Sequence, residues 1–94
     1  MNLIIWSPTA QATYLEIIDY LIDNWSLDTA LKFDYQVSKL LKSLEQFKHF
    51  CPASEKQPSY RRCVVNKQTS LIYQVQNQTI SLVTFLNNRA VSSY

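Results

Sequence analysis

Residues 60–89 constrain the fold of this chain most, because their pattern is typical of three short strands joined by two tight turns. Val, Ile, Leu, Tyr, Phe and Thr are enriched at 60–65, 71–76 and 79–86. Polar residues at 66–68 and 77–78 separate these segments. The chain contains no glycine, so asparagine is left for any left-handed turn position, and each turn holds one, Asn66 and Asn77. We therefore expect two consecutive antiparallel hairpins.

A two-residue loop at each turn predicts the register of these hairpins. The second hairpin then pairs Gln76 with Thr79, Gln74 with Ser81, Ile72 with Val83 and Ser70 with Phe85, and the first pairs Val65 with Ser70, Cys63 with Ile72 and Arg61 with Gln74. Alternation divides the strand residues between two faces of the sheet. We expect the more apolar face to lie under helices, and it consists of Tyr60, Arg62, Val64, Leu71, Tyr73, Val75, Ile80 and Leu82. The other face is expected to stay partly open to a partner: Arg61, Cys63, Val65, Ser70, Ile72, Gln74, Ser81, Val83 and Phe85.

The N-terminal half has the pattern of one strand and two helices. The apolar run at 2–6 predicts a strand, and Ser7 and Pro8 are suited to the cap and first position of a helix over residues 9–25. Its main apolar stripe is Leu15, Ile18, Ile22 and Trp25, widened by Tyr14, Ile17 and Leu21. Ser26 offers a second cap, and a further stripe follows: Ala30, Phe33, Val37, Leu40, Leu44 and Phe47. We place Trp6 and Trp25 in the core.

The whole chain, residues 1–94, is predicted to be a single α+β domain. Residues 51–59 contain two prolines and no periodicity, so they are expected to form a loop before the sheet. The order is β-α-α-β-β-β, a helical hairpin packed on a mostly antiparallel four-stranded sheet. The pattern leaves open which sheet edge the first strand joins.

Composition narrows the classes of function. A net charge of +2 is weakly basic for a protein that holds nucleic acid unaided. Neither a membrane-spanning run nor a signal peptide is indicated, so the expected location is the cytoplasm. Cys51 and Cys63 are expected to be reduced thiols, bridged only if folding brings them together. We expect no metal site and no cofactor, since one histidine and two separated cysteines form no ligand cluster.

Five segments carry a resemblance to a known family: IIWSPTAQATYLEIIDYL, DTALKF, the loop CPASEK, YRRCVVNKQTSLIYQV and LVTFLNNR. In this order and spacing they span nearly all of the chain. The chain resembles the RelE/ParE superfamily of toxins from bacterial type II toxin-antitoxin systems. The resemblance implies a small toxin that inhibits growth and is held inactive by a cognate antitoxin. It also implies a role in plasmid stabilization.

The superfamily has two branches, and the resemblance implies different chemistry in each. RelE-like members cut mRNA in the ribosomal A site, and the matching catalytic residues here are Arg61, Arg89 and Tyr94. Such cleavage needs a proton acceptor, a proton donor and cations that stabilise the charged phosphate. Cys63 and Ser70 stand where that branch has basic residues. For Arg89 the structural alternative is an ion pair with an acidic helix residue.

We therefore expect a ParE-like toxin that binds an essential target, with DNA gyrase as the candidate. One alternative is a ribosome-dependent mRNA endonuclease, and the other is an inactive member that only binds its antitoxin. Whether the chain is an enzyme is left open. The expected partner surface consists of Tyr14, Ile17, Leu21, Arg62 and Lys67.

Overall fold

The element order is the expected β-α-α-β-β-β, in a computed structural model that describes residues 1–90 and 92–94. The elements are β1 Leu3–Trp6, α1 Pro8–Asn24, α2 Leu27–Gln46, β2 Arg61–Val64, β3 Thr69–Gln76 and β4 Thr79–Asn87. Their bounds differ from the predicted ones by one or two residues. No helix within the described residues is long and apolar enough to cross a membrane.

Both helices begin at the predicted serine caps. The Ser7 hydroxyl accepts a hydrogen bond from the Ala10 N–H at 3.0 Å, and Pro8 is the first residue of α1. The Ser26 hydroxyl accepts one from the Thr29 N–H at 3.1 Å. Because only two residues separate α1 from α2, the helices form the predicted hairpin.

The sheet has the strand order β1-β4-β3-β2. The first strand, whose partner the sequence pattern left open, runs parallel to β4, and the other neighbours are antiparallel. The β2 edge is covered by the preceding loop, since Ala53 bridges Arg61 and the Arg62 N–H donates to the Pro52 carbonyl at 3.0 Å.

The β3–β4 register follows the prediction only in its first half. Gln76 faces Thr79 and Gln74 faces Ser81, as expected. A β-bulge between Ile72 and Tyr73 then shifts the pairing, so Ile72 faces Thr84 and Ser70 faces Leu86. The expected Ile72–Val83 and Ser70–Phe85 pairs are therefore wrong. The extra β4 residue turns Phe85 into the core, where it is 3% exposed.

The β2–β3 register is one residue away from the prediction. Arg62 faces Ile72 and Cys63 faces Leu71, because the connecting loop is longer than two residues. The Asn66 side chain shapes this loop by accepting from the Gln68 and Thr69 N–H groups, and Asn77 alone has the expected left-handed conformation, with φ 57°. A one-residue slip reverses every side chain of a strand, so the predicted faces of Arg61, Arg62, Cys63 and Val64 are all exchanged.

The core lies between the helices and one sheet face. Trp6, Tyr14, Phe33 and Phe85 form its aromatic centre, with ring centroids 5.4–6.3 Å apart. Ala10 is fully buried, so the side of α1 that carries it faces the core. The α1 residues that pack against the core from this side are Tyr14, Ile17, Ile18 and Leu21. The predicted main stripe is wrong in three of its four residues, since Leu15, Ile22 and Trp25 are exposed, Trp25 by 71%. Phe47, predicted to extend the α2 stripe, is also exposed.

The two cysteines form a disulfide, which corrects the expectation of reduced thiols. The register slip turns Cys63 toward the core, where its Cα lies 5.3 Å from the Cα of Cys51. This separation is ordinary for a disulfide. The bond ties the loop before β2 to the centre of that strand.

Candidate partner-binding groove and outer sheet face

A groove of about 940 Å³ lies between the helical hairpin and the end of the sheet that carries the β2–β3 turn. We call it the hairpin groove. It is lined by Thr13, Glu16, Ile17, Tyr20, Leu21 and Trp25 of the first helix and its end, by Thr29, Lys32, Phe33 and Gln36 of α2, and by Asn66, Lys67, Gln68, Thr69, Phe85, Leu86, Asn87 and Arg89. Both helices, two strand ends and the β2–β3 turn therefore contribute to one concave surface.

The lining of the hairpin groove combines apolar side chains with basic ones. Ile17, Leu21 and Phe33 belong to or pack against the core, and Trp25 extends the apolar surface into solvent. Lys32, Lys67 and Arg89 bring three cations to the lining, against one carboxylate, Glu16. Such a groove suits a partner with an apolar stripe and acidic flanks.

The structure gathers three of the five predicted partner-binding residues in the hairpin groove: Ile17, Leu21 and Lys67. Tyr14 lies beneath it, where its hydroxyl donates to the Asp34 carboxylate and joins α1 to α2. Burial and this hydrogen bond raise the pKa of Tyr14 well above its ordinary value. Arg62 lies elsewhere, on the sheet face opposite the helices.

That opposite face, here called the outer face, holds Arg62 in a hydrogen-bond network. Its Nε donates to the Ser70 hydroxyl at 3.3 Å, its Nη2 to Asn88 Oδ1 at 3.2 Å, and its Nη1 to the Tyr94 carbonyl at 3.3 Å. Ser70 and Ile72 are fully buried although their side chains point away from the helices. This part of the outer face is therefore covered.

Asn88 connects the outer face to the β2–β3 turn. Its Oδ1 accepts from Arg62 and from the Ser70 hydroxyl, and its Nδ2 donates to the Asn66 and Lys67 carbonyls at 3.0 and 3.1 Å. One side chain thus fixes the turn that forms one end of the hairpin groove. The sequence reasoning missed this role, because an asparagine after a strand gives no signal of what it will contact.

The three predicted catalytic residues lie in different places. The Arg61 Nη1 donates to the Cys51 carbonyl at 2.6 Å, near Tyr73. Burial raises the pKa of Tyr73 above its ordinary value. Arg89 is exposed and lines the hairpin groove. The Tyr94 ring packs edge-to-face against Tyr60, with centroids 5.3 Å apart. The structure therefore does not bring Arg61, Arg89 and Tyr94 together around one point.

The sequence reasoning also missed Lys32 and Trp25 as lining residues of the hairpin groove. Trp25 was assigned to the core because large aromatic residues at helical spacing are usually buried. A signal was present in its position directly before the Ser26 cap, where the helix has already ended. In the part of the chain that the structure describes, no group of three or more His, Cys, Asp or Glu side chains could hold a metal ion.

The fold defines a class of small toxins whose structures are known. One similar chain belongs to the chromosomal ParDE TA system from P. aeruginosa, with a TM-score of 0.77, 19% identity, and coverage of 93% of this chain and 96% of that one. A copper-bound mutant toxin from Helicobacter pylori gives a TM-score of 0.68 at 14% identity, covering 94% of this chain and 96% of that one. The YoeB-YefM complex from Staphylococcus aureus gives 0.59 at 20% identity, covering 92% and 95%.

The family itself is shown by sequence. The family model for the ParE toxin of the type II toxin-antitoxin system, parDE, matches residues 4–90. No curated protein sequence is significantly similar to the chain. The chain belongs to the ParE toxin family, which confirms the RelE/ParE resemblance of its motifs and its α+β fold.

Proposed function

We propose that this chain is a ParE-like toxin that stops growth by binding an essential target, with DNA gyrase as the candidate, and that a cognate antitoxin neutralises it. The main support for this proposal is that the Arg62 guanidinium is already used in hydrogen bonds within the chain. This arginine is the charged β2 side chain on the outer face, and Ser70, Asn88 and Tyr94 already accept hydrogen bonds from its guanidinium. A cation committed in this way supports a structural role rather than phosphate chemistry.

The positions of the three predicted catalytic residues support the same choice. RNA cleavage needs an acid, a base and cations around one phosphate. Arg61 is bonded to the Cys51 carbonyl, Arg89 lies at the hairpin groove, and Tyr94 packs on Tyr60. We therefore favour inhibition by binding over the mRNA endonuclease alternative.

The antitoxin is proposed to occupy the hairpin groove with an amphipathic helix. Ile17, Leu21 and Trp25 would receive the apolar stripe of that helix, and Lys32, Lys67 and Arg89 its acidic flanks. The solved YoeB-YefM complex, a toxin-antitoxin assembly of the same fold, supports a protein partner of this kind. The proposed place of action is the cytoplasm, where gyrase and DNA are found.

The test is brief induction of the chain in cells without any antitoxin. Growth, mRNA integrity at translated codons and the DNA damage response are followed in the same culture. We expect growth arrest with intact mRNA and an induced damage response. Codon-phased mRNA cuts would contradict the proposal in favour of the nuclease, and normal growth would contradict it in favour of an inactive member.

A further inference from the structure

The Cys51–Cys63 disulfide closes a covalent ring that contains the loop before β2 and the first residues of that strand. We call residues 51–63 the disulfide ring and residues 92–94 the tail segment. Three donors of the disulfide ring bind the three carbonyls of the tail segment, and one ring residue packs edge-to-face on Tyr94. These four residues are Lys56, Gln57, Arg62 and, for the aromatic contact, Tyr60. The tail segment is therefore held by the same stretch of chain that the disulfide closes.

The two cysteines differ in how firmly the fold fixes them. Cys63 lies inside β2, is paired with Leu71 of β3 and is 2% exposed. Cys51 lies outside the strands and is 7% exposed. Its N–H donates to the Tyr73 hydroxyl at 3.3 Å, and its carbonyl accepts from Arg61 at 2.6 Å. Because the sheet ladder fixes Cys63, a change at the disulfide must be taken up mainly by the loop that carries Cys51.

Reduction of the disulfide changes both the space that the pair needs and the freedom of the loop. Two thiols in contact occupy more room than two bonded sulfur atoms, and both cysteines belong to the close-packed core. Added volume in such a core forces its neighbours to move. Opening the covalent ring also returns conformational freedom to residues 52–60. Lys56, Gln57 and Tyr60 would then no longer be held in the arrangement that converges on the tail segment.

We propose that the Cys51–Cys63 pair is a redox switch that controls the tail segment. The disulfide holds residues 92–94 on the outer face, and the dithiol releases them. Most thiols are kept reduced in the cytoplasm, the proposed place of action, and disulfides that form there are usually transient, catalytic or redox-sensing. The switch decides whether the tail segment covers β2 on the outer face, so the proposal goes beyond the function proposed above.

The chemical step is thiol–disulfide exchange with a small thiol such as glutathione. A glutathione thiolate attacks Sγ of Cys51, the more exposed cysteine, and Cys63 leaves as a thiolate. A second glutathione thiolate attacks the glutathione sulfur of this mixed disulfide, and Cys51 leaves in turn. Both cysteines are then protonated by water. The chain disulfide has been reduced by two electrons, and two glutathione molecules have been oxidised to one glutathione disulfide.

The experiment follows the isotope-labelled full chain by NMR in buffers of varied reduced-to-oxidised glutathione ratio. Thiol content is measured by alkylation and mass spectrometry in the same samples. In the oxidised chain, the Ser54 N–H donates to the Tyr60 carbonyl and the Arg62 N–H to the Pro52 carbonyl. We expect reduction to speed hydrogen exchange of these two amides about thirtyfold, the change expected when a short loop loses its disulfide. The heteronuclear NOE of residues 92–94 should fall at the same glutathione ratio.

A variant without the disulfide provides the matched control. Cys51→Ala combined with Cys63→Ala should show the loosened tail segment at every glutathione ratio. Amides of α1 and β3 report whether the fold is kept, and if the variant does not fold, the wild type in dithiothreitol supplies the state without the bond. Three results would overturn the proposal: an unchanged tail segment after reduction, a pair that stays oxidised at the most reducing ratio, or a loss of protection spread over the whole chain.

Discussion

The hairpin groove and the outer face of the sheet differ in how far their polar groups are already used. In the hairpin groove, Lys67 and Arg89 are exposed beside an apolar surface that includes Trp25. On the outer face, Arg62 is bonded on three sides and lies next to fully buried Ser70. Both surfaces contain arginine and tyrosine, so their composition alone does not separate them.

A residue's function therefore depends on which groups the fold leaves without an internal partner. Within residues 1–90 and 92–94, the exposed Lys67 and Arg89 side chains make no hydrogen bond, whereas Lys56 and Arg62 hold the chain's own residues 92–94. A partner is therefore expected first at the hairpin groove. At the outer face, a partner must first displace residues 92–94.

The largest expected effect is a difference in the free energy of unfolding between substitutions in the covered and the uncovered parts of the outer face. Ile72 is 0% exposed and Ile5 is 47% exposed, although both point away from the helices. Ile72→Ala should reduce the free energy of unfolding by about 2–4 kcal/mol through the cavity it leaves, and Ile5→Ala by less than about 1 kcal/mol. Urea denaturation measures both. Equal losses would mean that the outer face is not covered at β3.

The disulfide should contribute a similar amount on the core-facing side of β2. Replacing Cys51 and Cys63 together by alanine should lower the free energy of unfolding by about 2–3 kcal/mol, since the bond closes a short loop in the unfolded chain. The wild type should lose a similar amount when it is reduced. Identical denaturation curves under oxidising and reducing conditions would show that the pair does not bridge in solution.

Binding should single out the hairpin groove. Trp25→Ala should change the free energy of unfolding by less than about 0.5 kcal/mol, because the side chain is 71% exposed. It should weaken binding of the proposed antitoxin by about 2 kcal/mol, as for an aromatic anchor. Phe50→Ala, an exposed aromatic outside the groove, is the matched control for calorimetric titration. Similar losses from both variants would place the partner elsewhere.

Tyr14 lies beneath the hairpin groove, so it should contribute to stability but not to partner binding. Tyr14→Phe removes the hydrogen bond to Asp34 and should cost about 1 kcal/mol of stability without weakening partner binding. Because the pKa of Tyr14 is raised in the folded state, the unfolded chain loses this proton first as the pH rises above the ordinary tyrosine pKa of about 10. Stability should therefore fall above about pH 10. The fall should be shallower in Tyr14→Phe, and an equally steep fall would contradict this assignment.

The sequence was sufficient to predict the element order, the two serine caps and the core residues of β3. These depend on local patterns and on spacing within one element. The errors concern β2, the far half of β4 and the exposed side of α1. A single extra residue in the β2–β3 loop and one bulge after Leu82 reverse whole rows of side chains. No local pattern indicated either insertion.

The candidate sites were predictable only in part for the same reason. Ile17, Leu21 and Lys67 were named from the sequence and meet in the hairpin groove. Arg61 and Arg62 exchanged faces with the slip of β2, so Arg61 lies on the core-facing side of that strand and donates to the Cys51 carbonyl. The pairing of Cys51 with Cys63 depends on that slip as well. Residues that meet only through strand register cannot be assigned from spacing along the chain.

The most direct test of inhibition by binding is a gyrase supercoiling assay with purified components. The chain is titrated into gyrase with relaxed plasmid and ATP, and the same preparation is added to ribosomes translating a defined mRNA. Inhibition by binding predicts that supercoiling stops once the chain matches gyrase in amount, and that the mRNA stays intact. Undisturbed supercoiling together with cut mRNA would contradict it.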